Sequence, residues 1–142
     1  MEYDGKERKK FKRLKIPRAT VNIIQRHFLF YRKKYSEEFC PVVDLSRGGV
    51  RFLCRKLLST SIKKISLQIY IPGERSYLNL KGRIKWISLN PMVNYKYQVG
   101  VQFNPFGEKK DHNRPEKLKR IVELEKKILT SNKLYDKENI NK

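Results

Sequence analysis

The chain has 142 residues, 39% of them hydrophobic, and a formal net charge of +20 from 34 Lys and Arg against 14 Asp and Glu. That length suits one domain with a real core. No apolar run is long enough to cross a bilayer and none follows the N-terminal basic cluster, so a cytoplasmic protein without membrane span or leader is expected. The charge predicts attraction to a polyanion (nucleic acid, anionic lipid or a negative small ligand), yet the lysines are spread through nearly every segment, as simple solubility also requires.

Residues 1–18 form a basic arm, with Lys6, Arg8, Lys9, Lys10, Lys12, Arg13, Lys15 and Arg18 against Glu2, Asp4 and Glu7. It has little to bury beyond Tyr3, Phe11, Leu14 and Ile16, so it is expected to be flexible until an anion orders it. Ala19 to Tyr31 is strand-like. Val21 and Ile23 share one parity and Phe28 and Phe30 the other, which predicts a bulge around Ile24 to His27. His27 has no second ligand nearby and is not expected to hold a metal. Phe39–Asp44 and Val50–Cys54 read as two more strands. Cys40 and Cys54 lie in them, too few for a disulfide framework or a zinc set, and are expected as buried free thiols.

Between these strands lies Asp44-Leu45-Ser46-Arg47-Gly48-Gly49. Asp44 and Ser46, two apart, point to one side of an extended chain, and the Gly pair permits a tight bend. This polar ledge offers a carboxylate, a hydroxyl and open backbone. An ordinary hairpin turn has the same composition.

Leu57 to Lys64 reads as a polar connection. Ile65, Leu67, Ile69 and Ile71 alternate cleanly with polar neighbours. A turn at Pro72–Ser76 follows, and Leu78, Leu80, Gly82, Ile84 and Trp86 keep one parity. That parity places Trp86 in the core, although a rim position would let it stack on a flat ligand. Asn90-Pro91 opens a turn into a last strand, Tyr95 to Phe103. About six antiparallel strands with short turns predict a small closed β-barrel over 19–106. Residues 107–131 hold a helix whose apolar face is Leu118, Ile121, Val122, Ile128 and Leu129, with Leu124 at its margin and Asn113 and Glu116 as a capping pair. The helix packs across the barrel or serves a partner chain. Residues 132–142 read as a disordered polar tail.

The arm followed by Asp44-x-Ser46-x-x-Gly49 resembles the PilZ domain, a family of cyclic di-GMP receptors. The family pattern is Arg-x-x-x-Arg, then Asp/Asn-x-Ser-x-x-Gly between two strands. Here the second element is intact, whereas the first aligns as Lys9 and Arg13, with Arg8 one residue out of step. Leu80–Trp86 and Tyr97–Phe103 also look like the family, so the resemblance covers roughly residues 7 to 130.

It implies a PilZ-like barrel with a C-terminal helix, and a binding site for cyclic di-GMP with no further cofactor and no metal. The site would comprise Arg8, Lys9, Arg13, Asp44, Ser46, Gly48 and Gly49, with Trp86 as an added contact. The chemistry is reasonable: an arginine fork matches guanine O6 and N7, a carboxylate accepts guanine N–H groups, and a hydroxyl donates to a phosphate. Lysine at position 9 keeps charge without the planar fork, so it can meet a phosphate but not read a base. The resemblance also implies a downstream protein partner of unknown identity.

Catalysis is not expected. His27 and His112 lie far apart in sequence, no phosphate loop of the Walker or Rossmann type occurs, and neither cysteine has a companion histidine. Two rival readings stand beside the receptor: a ligand-free adaptor barrel, and a nucleic-acid-binding barrel using Phe28, Phe30, Tyr95 and Tyr97. Most aromatics share parity with aliphatic residues, which favours core over a base-stacking face, so specific nucleic-acid binding is not expected.

Overall fold

A computed structural model of the chain describes residues 11–25, 36–59, 61–92 and 94–140, with the side chains of 132–140 excepted. Arg8, Lys9, His27, Phe28 and Phe30 lie outside the described residues. Six strands form a closed barrel: β1 (Thr20–Gln25), β2 (Glu37–Leu45), β3 (Gly49–Cys54), β4 (Lys64–Tyr70), β5 (Leu78–Leu89) and β6 (Tyr97–Phe103). The order around the barrel is β1-β2-β3-β6-β5-β4, with every neighbour antiparallel. Helix α1 (Pro115–Ile140) follows.

Alternation builds the core directly. Val50, Phe52 and Cys54 of β3 and Ile65, Leu67 and Ile69 of β4 point inward, where they meet Val21, Ile23, Leu45, Leu78, Leu80 and Val99. The stretch expected as a polar connection contributes too, since Leu58 is buried. Between β4 and β5, Gly73 takes a left-handed φ of 91° in a turn closed by Glu74 N–H donating to Ile71 O (3.0 Å). The β1 irregularity falls between Val21 and Ile23, earlier than the parity slip suggests.

Two bulges position the ledge and its surroundings. On β2, pairing shifts between Val42↔Phe52 and Asp44↔Arg51, so Val43 is the extra residue and Asp44 faces Arg51. On β5, pairing shifts between Ile84↔Val101 and Trp86↔Gly100, with Lys85 as the extra residue. One added residue flips every side chain beyond it. Trp86 therefore leaves the core parity and stands 38% exposed, while Ile87 turns back toward the core.

The described end of the arm, residues 11–18, is less free than its composition predicts. Leu14 is buried, and its main chain exchanges hydrogen bonds with Leu45 (Leu14 N to Leu45 O 2.7 Å, Leu45 N to Leu14 O 2.9 Å). This bridge fixes residues beside Leu14 against the end of β2.

Helix α1 corrects three sequence expectations. It begins at Pro115, well suited to a first helical position, and continues past Ser131 through the stretch expected as tail. Asn113 does not cap it. Its side chain instead accepts from Lys81 N–H (2.8 Å) and donates to Lys81 O (3.0 Å) and Asn104 O (3.1 Å), tying the loop before the helix to β5. The packed face is centred on Ile121 and Leu124, both buried, with Ile128 against the core. Leu118, Val122 and Leu129 lie half-buried at its edges.

Candidate functional site

The ledge is a turn that organises itself. Ser46 Oγ accepts the N–H groups of Gly48 and Gly49 (3.2 Å each), while Ser46 N–H donates to Gly49 O (2.8 Å). A hydroxyl bonded to backbone two and three residues ahead is what makes Ser a turn former. Gly49 must be glycine because a Cβ there would collide with the Val101 carbonyl across the β3–β6 pairing.

Arg51 forks onto the Asp44 carboxylate: Nε donates to Oδ1 (2.9 Å) and Oδ2 (3.0 Å), and a terminal nitrogen donates to Oδ2 as well. The carboxylate tightens the guanidinium's hold on its proton chiefly by hydrogen bonding; desolvation opposes this, and charge adds a smaller share. Asp44 is only 4% exposed. The sequence reading left Asp44 free to accept from a guanine. The structure shows that carboxylate already engaged, with Arg51 as the half-exposed group beside it.

Arg47, inside the turn, reaches the other way. Its Nε and terminal nitrogen donate to the two oxygens of Glu125 on α1 (2.9 and 2.8 Å). Glu125 is buried, so this fork keeps a carboxylate on the packed face of the helix from standing unpaired.

These groups line one cleft of about 560 Å³. Arg13, Asp44, Ser46, Gly48, Gly49 and Trp86, all expected as site residues, face it together. Arg13 is exposed and has no hydrogen bond or ion pair among the described residues. The Trp86 ring covers Gly100, where any Cβ would run into the indole, so one ring face lies against β6. Phe11 approaches the ledge from the arm, its Cδ2 3.4 Å from the Cβ position of Gly48.

Arg47, Arg51, Lys85 and Phe11 also line the cleft and were missed as site residues. A signal for Arg51 was available: Val50, Phe52 and Cys54 fill the core parity of β3, leaving Arg51 on the outer face. Lys85 carries no such signal, because it is the bulge.

The grouping of metal-ligand side chains among the described residues is Glu37, Cys40 and Cys54. The thiols touch (Sγ to Sγ 3.9 Å), Cys40 donates to Glu37 (3.0 Å), and Glu37 accepts the N–H groups of Arg55 and Lys56. The adjacent Cys54 thiol and burial push Cys40 far above the ordinary thiol range, so it stays protonated. Glu37 is thereby engaged by Cys40 and by the main chain.

Of the four aromatics of the nucleic-acid reading, Phe28 and Phe30 lie outside the described residues. Tyr97 packs against the core and Tyr95 lies under the Arg55 guanidinium, 5.9 Å from its ring centre. No helix among the described residues is long and apolar enough to cross a membrane.

The architecture is a small antiparallel barrel whose Asp-x-Ser-x-x-Gly turn is set in a cationic cleft. The family model for the PilZ domain matches residues 7–123, and the chain belongs to that family, whose members are cyclic di-GMP receptors and adaptors. Among solved structures, it is similar to the Bacillus subtilis inhibitor of motility MotI/DgrA, with a TM-score of 0.55 at 11% identity over 87% of this chain and 49% of that one. It is also similar to K. pneumonia MrkH in its apo state, with a TM-score of 0.60 at 15% identity over 95% of this chain and 55% of that one. The chain thus spans about half the length of these neighbours. No curated protein matches it.

Proposed function

We propose that this chain is a cyclic di-GMP receptor that holds the dinucleotide in the cleft between the arm and the ledge. The observation that carries the reading is the convergence of Arg13, Asp44, Ser46, Gly48, Gly49 and Trp86 on that one cleft. Arginine forks suit guanine O6 and N7, and guanidinium also stacks on a base face or pairs a phosphate. Arg13 and Arg51 supply two such groups, and Arg51 is aimed by Asp44. The exposed face of Trp86 offers a platform for a second guanine. Gly48 keeps the ledge low beside Phe11, over a turn that Ser46 holds.

Asp44 therefore acts chiefly by fixing Arg51, which differs from the direct guanine contact drawn from sequence. Arg8 and Lys9, three and two residues before Phe11, are expected to meet phosphates, Lys9 as a point charge and Arg8 as the remaining fork. Ordering of the arm over bound nucleotide would alter the surface offered to a protein partner.

Titration calorimetry with cyclic di-GMP, cyclic di-AMP and GTP tests the reading. Cyclic di-GMP alone is expected to bind with measurable heat and to quench Trp86 fluorescence. Arg13→Ala should weaken binding by about 1–3 kcal/mol, the worth of one bidentate guanine contact. Absence of heat with all three nucleotides would leave the adaptor reading in its place.

A further inference from the structure

A second cleft, of about 490 Å³, opens where the start of α1 meets β5. It is lined by Lys81, Lys109, Lys110, Arg114 and Lys117 against two carboxylates, Glu108 and Glu116. The ion pairs among the described residues are Arg47–Glu125, Arg51–Asp44 and Arg55–Glu37, so none of these five cations is paired there.

The cluster is held by specific bonds. Asn113 clamps the main chain of Lys81 from both sides, which sets Lys81 beside the helix start. Arg120, one turn along α1, donates to Tyr77 O (3.0 Å) and Ser76 O (2.8 Å), pinning the helix to the turn before β5. Arg114 and Lys117 are thereby carried on a fixed helix toward a fixed strand. Such crowding has a cost: burial first, then repulsion from Lys81, Arg114 and Arg120, lowers the Lys117 pKa from its ordinary value. His112, on the same cleft, has a buried Nδ1 with no hydrogen-bond partner among the described residues.

We propose that this cleft is a second anion site, which binds a ligand presenting two or more linked phosphate groups through Lys81, Arg114 and Lys117. Five cations against two carboxylates, none of them ion-paired among the described residues, leave an excess of positive potential that a multivalent anion relieves. The lining contains no Phe, Tyr or Trp, and its cluster of lysines suits phosphate oxygens more than base edges. This separates it from the first cleft, where Phe11 and Trp86 stand among the arginines. A compact phosphate chain fits a concave cluster better than a polynucleotide, whose backbone follows an extended stripe.

The test is titration of the full chain with inorganic pyrophosphate at low salt, followed by calorimetry and by amide NMR. Saturable shifts are expected at Lys81 and across 107–117, with Ser46–Gly49 unmoved. The Lys81→Gln/Lys117→Gln double variant should bind about tenfold more weakly or worse, as loss of charge-assisted contacts requires. Lys119→Gln, an exposed α1 lysine outside the cleft, should bind like the parent. Absence of saturable shifts overturns the proposal, as does equal weakening by Lys119→Gln, which would mean diffuse charge. Binding only to a single-stranded oligonucleotide or to phosphatidylglycerol vesicles, with none to pyrophosphate, overturns it in favour of a macromolecular surface. Cyclic di-GMP shifts at Ser46–Gly49 report the other cleft and are scored separately.

Discussion

Asp44 and Arg51 decide what the ledge can do, because a carboxylate that receives a fork is no longer a free acceptor. Removing it leaves a half-exposed guanidinium without its partner. Asp44→Ala should therefore lower stability by about 1–3 kcal/mol, below the cost of breaking a fully buried pair because Arg51 is partly screened. Urea denaturation of Asp44→Ala, Arg51→Ala and the double variant measures the coupling. Strictly additive losses would show that the fork contributes nothing as a pair. Phe39 presents the opposite case. It is a bulky residue at a left-handed φ of 57°, 62% exposed, with its N–H held by Asn22 Oδ1 (2.9 Å). Glycine adopts that φ without a Cβ penalty and keeps the N–H. Phe39→Gly should raise stability by up to about 1 kcal/mol, since little apolar burial is lost. A fall in the denaturation midpoint would show that the exposed ring contributes to the fold.

At the scale of elements, the turn between β2 and β3 is joined to α1 by Arg47 and Glu125. The partners differ: Arg47 is 43% exposed at its side chain and Glu125 only 7%. Truncating Arg47 strands a buried carboxylate, whereas replacing both lets the helix face become wholly apolar. Arg47→Ala is expected to cost about 1–2 kcal/mol, and Arg47→Ala/Glu125→Leu to recover most of it. Thermal melts of the two variants check this, and a double variant less stable than the single would refute it. What the sequence made legible, and what it hid, also separates by element. Alternation gave β3 and β4 because each runs without a register shift, so parity and burial coincide. It failed on β5, where Lys85 is a single extra residue that moves Trp86 from the core to the cleft. The helix face was displaced for a related reason: apolar side chains alone put its centre away from Glu125, whose burial depends on an arginine far off in the chain. Asn113 looked like a cap because Asn near a helix start usually is one. Its bonds to Lys81 are long-range and leave no local trace. Ser46 and Gly49 were readable as a turn because a hydroxyl–backbone turn is local chemistry; Arg51 and Lys85 join the cleft beside it only through sheet register.

For the molecule as a whole, the net charge of +20 sets a term that no single contact shows. The ion pairs among the described residues act over short distances, and Asp44, Glu37 and Glu125 are all shielded from solvent. The remaining cations repel one another across the surface, over distances where the screening length matters. That length falls from about 20 Å at ~0.02 M salt to about 4 Å at ~0.5 M. Screening therefore removes long-range repulsion faster than it weakens the buried pairs. Raising sodium chloride over that interval should increase Tm by about 3 °C or more, although salt ordinarily weakens surface ion pairs. Scanning calorimetry decides the sign. A Tm that falls with salt would mean that attractions among mixed charges outweigh the excess of like charge. Pyrophosphate matched in ionic strength to chloride adds a second reading: site binding to the native state raises Tm beyond the chloride value, whereas pure screening gives the same Tm for both.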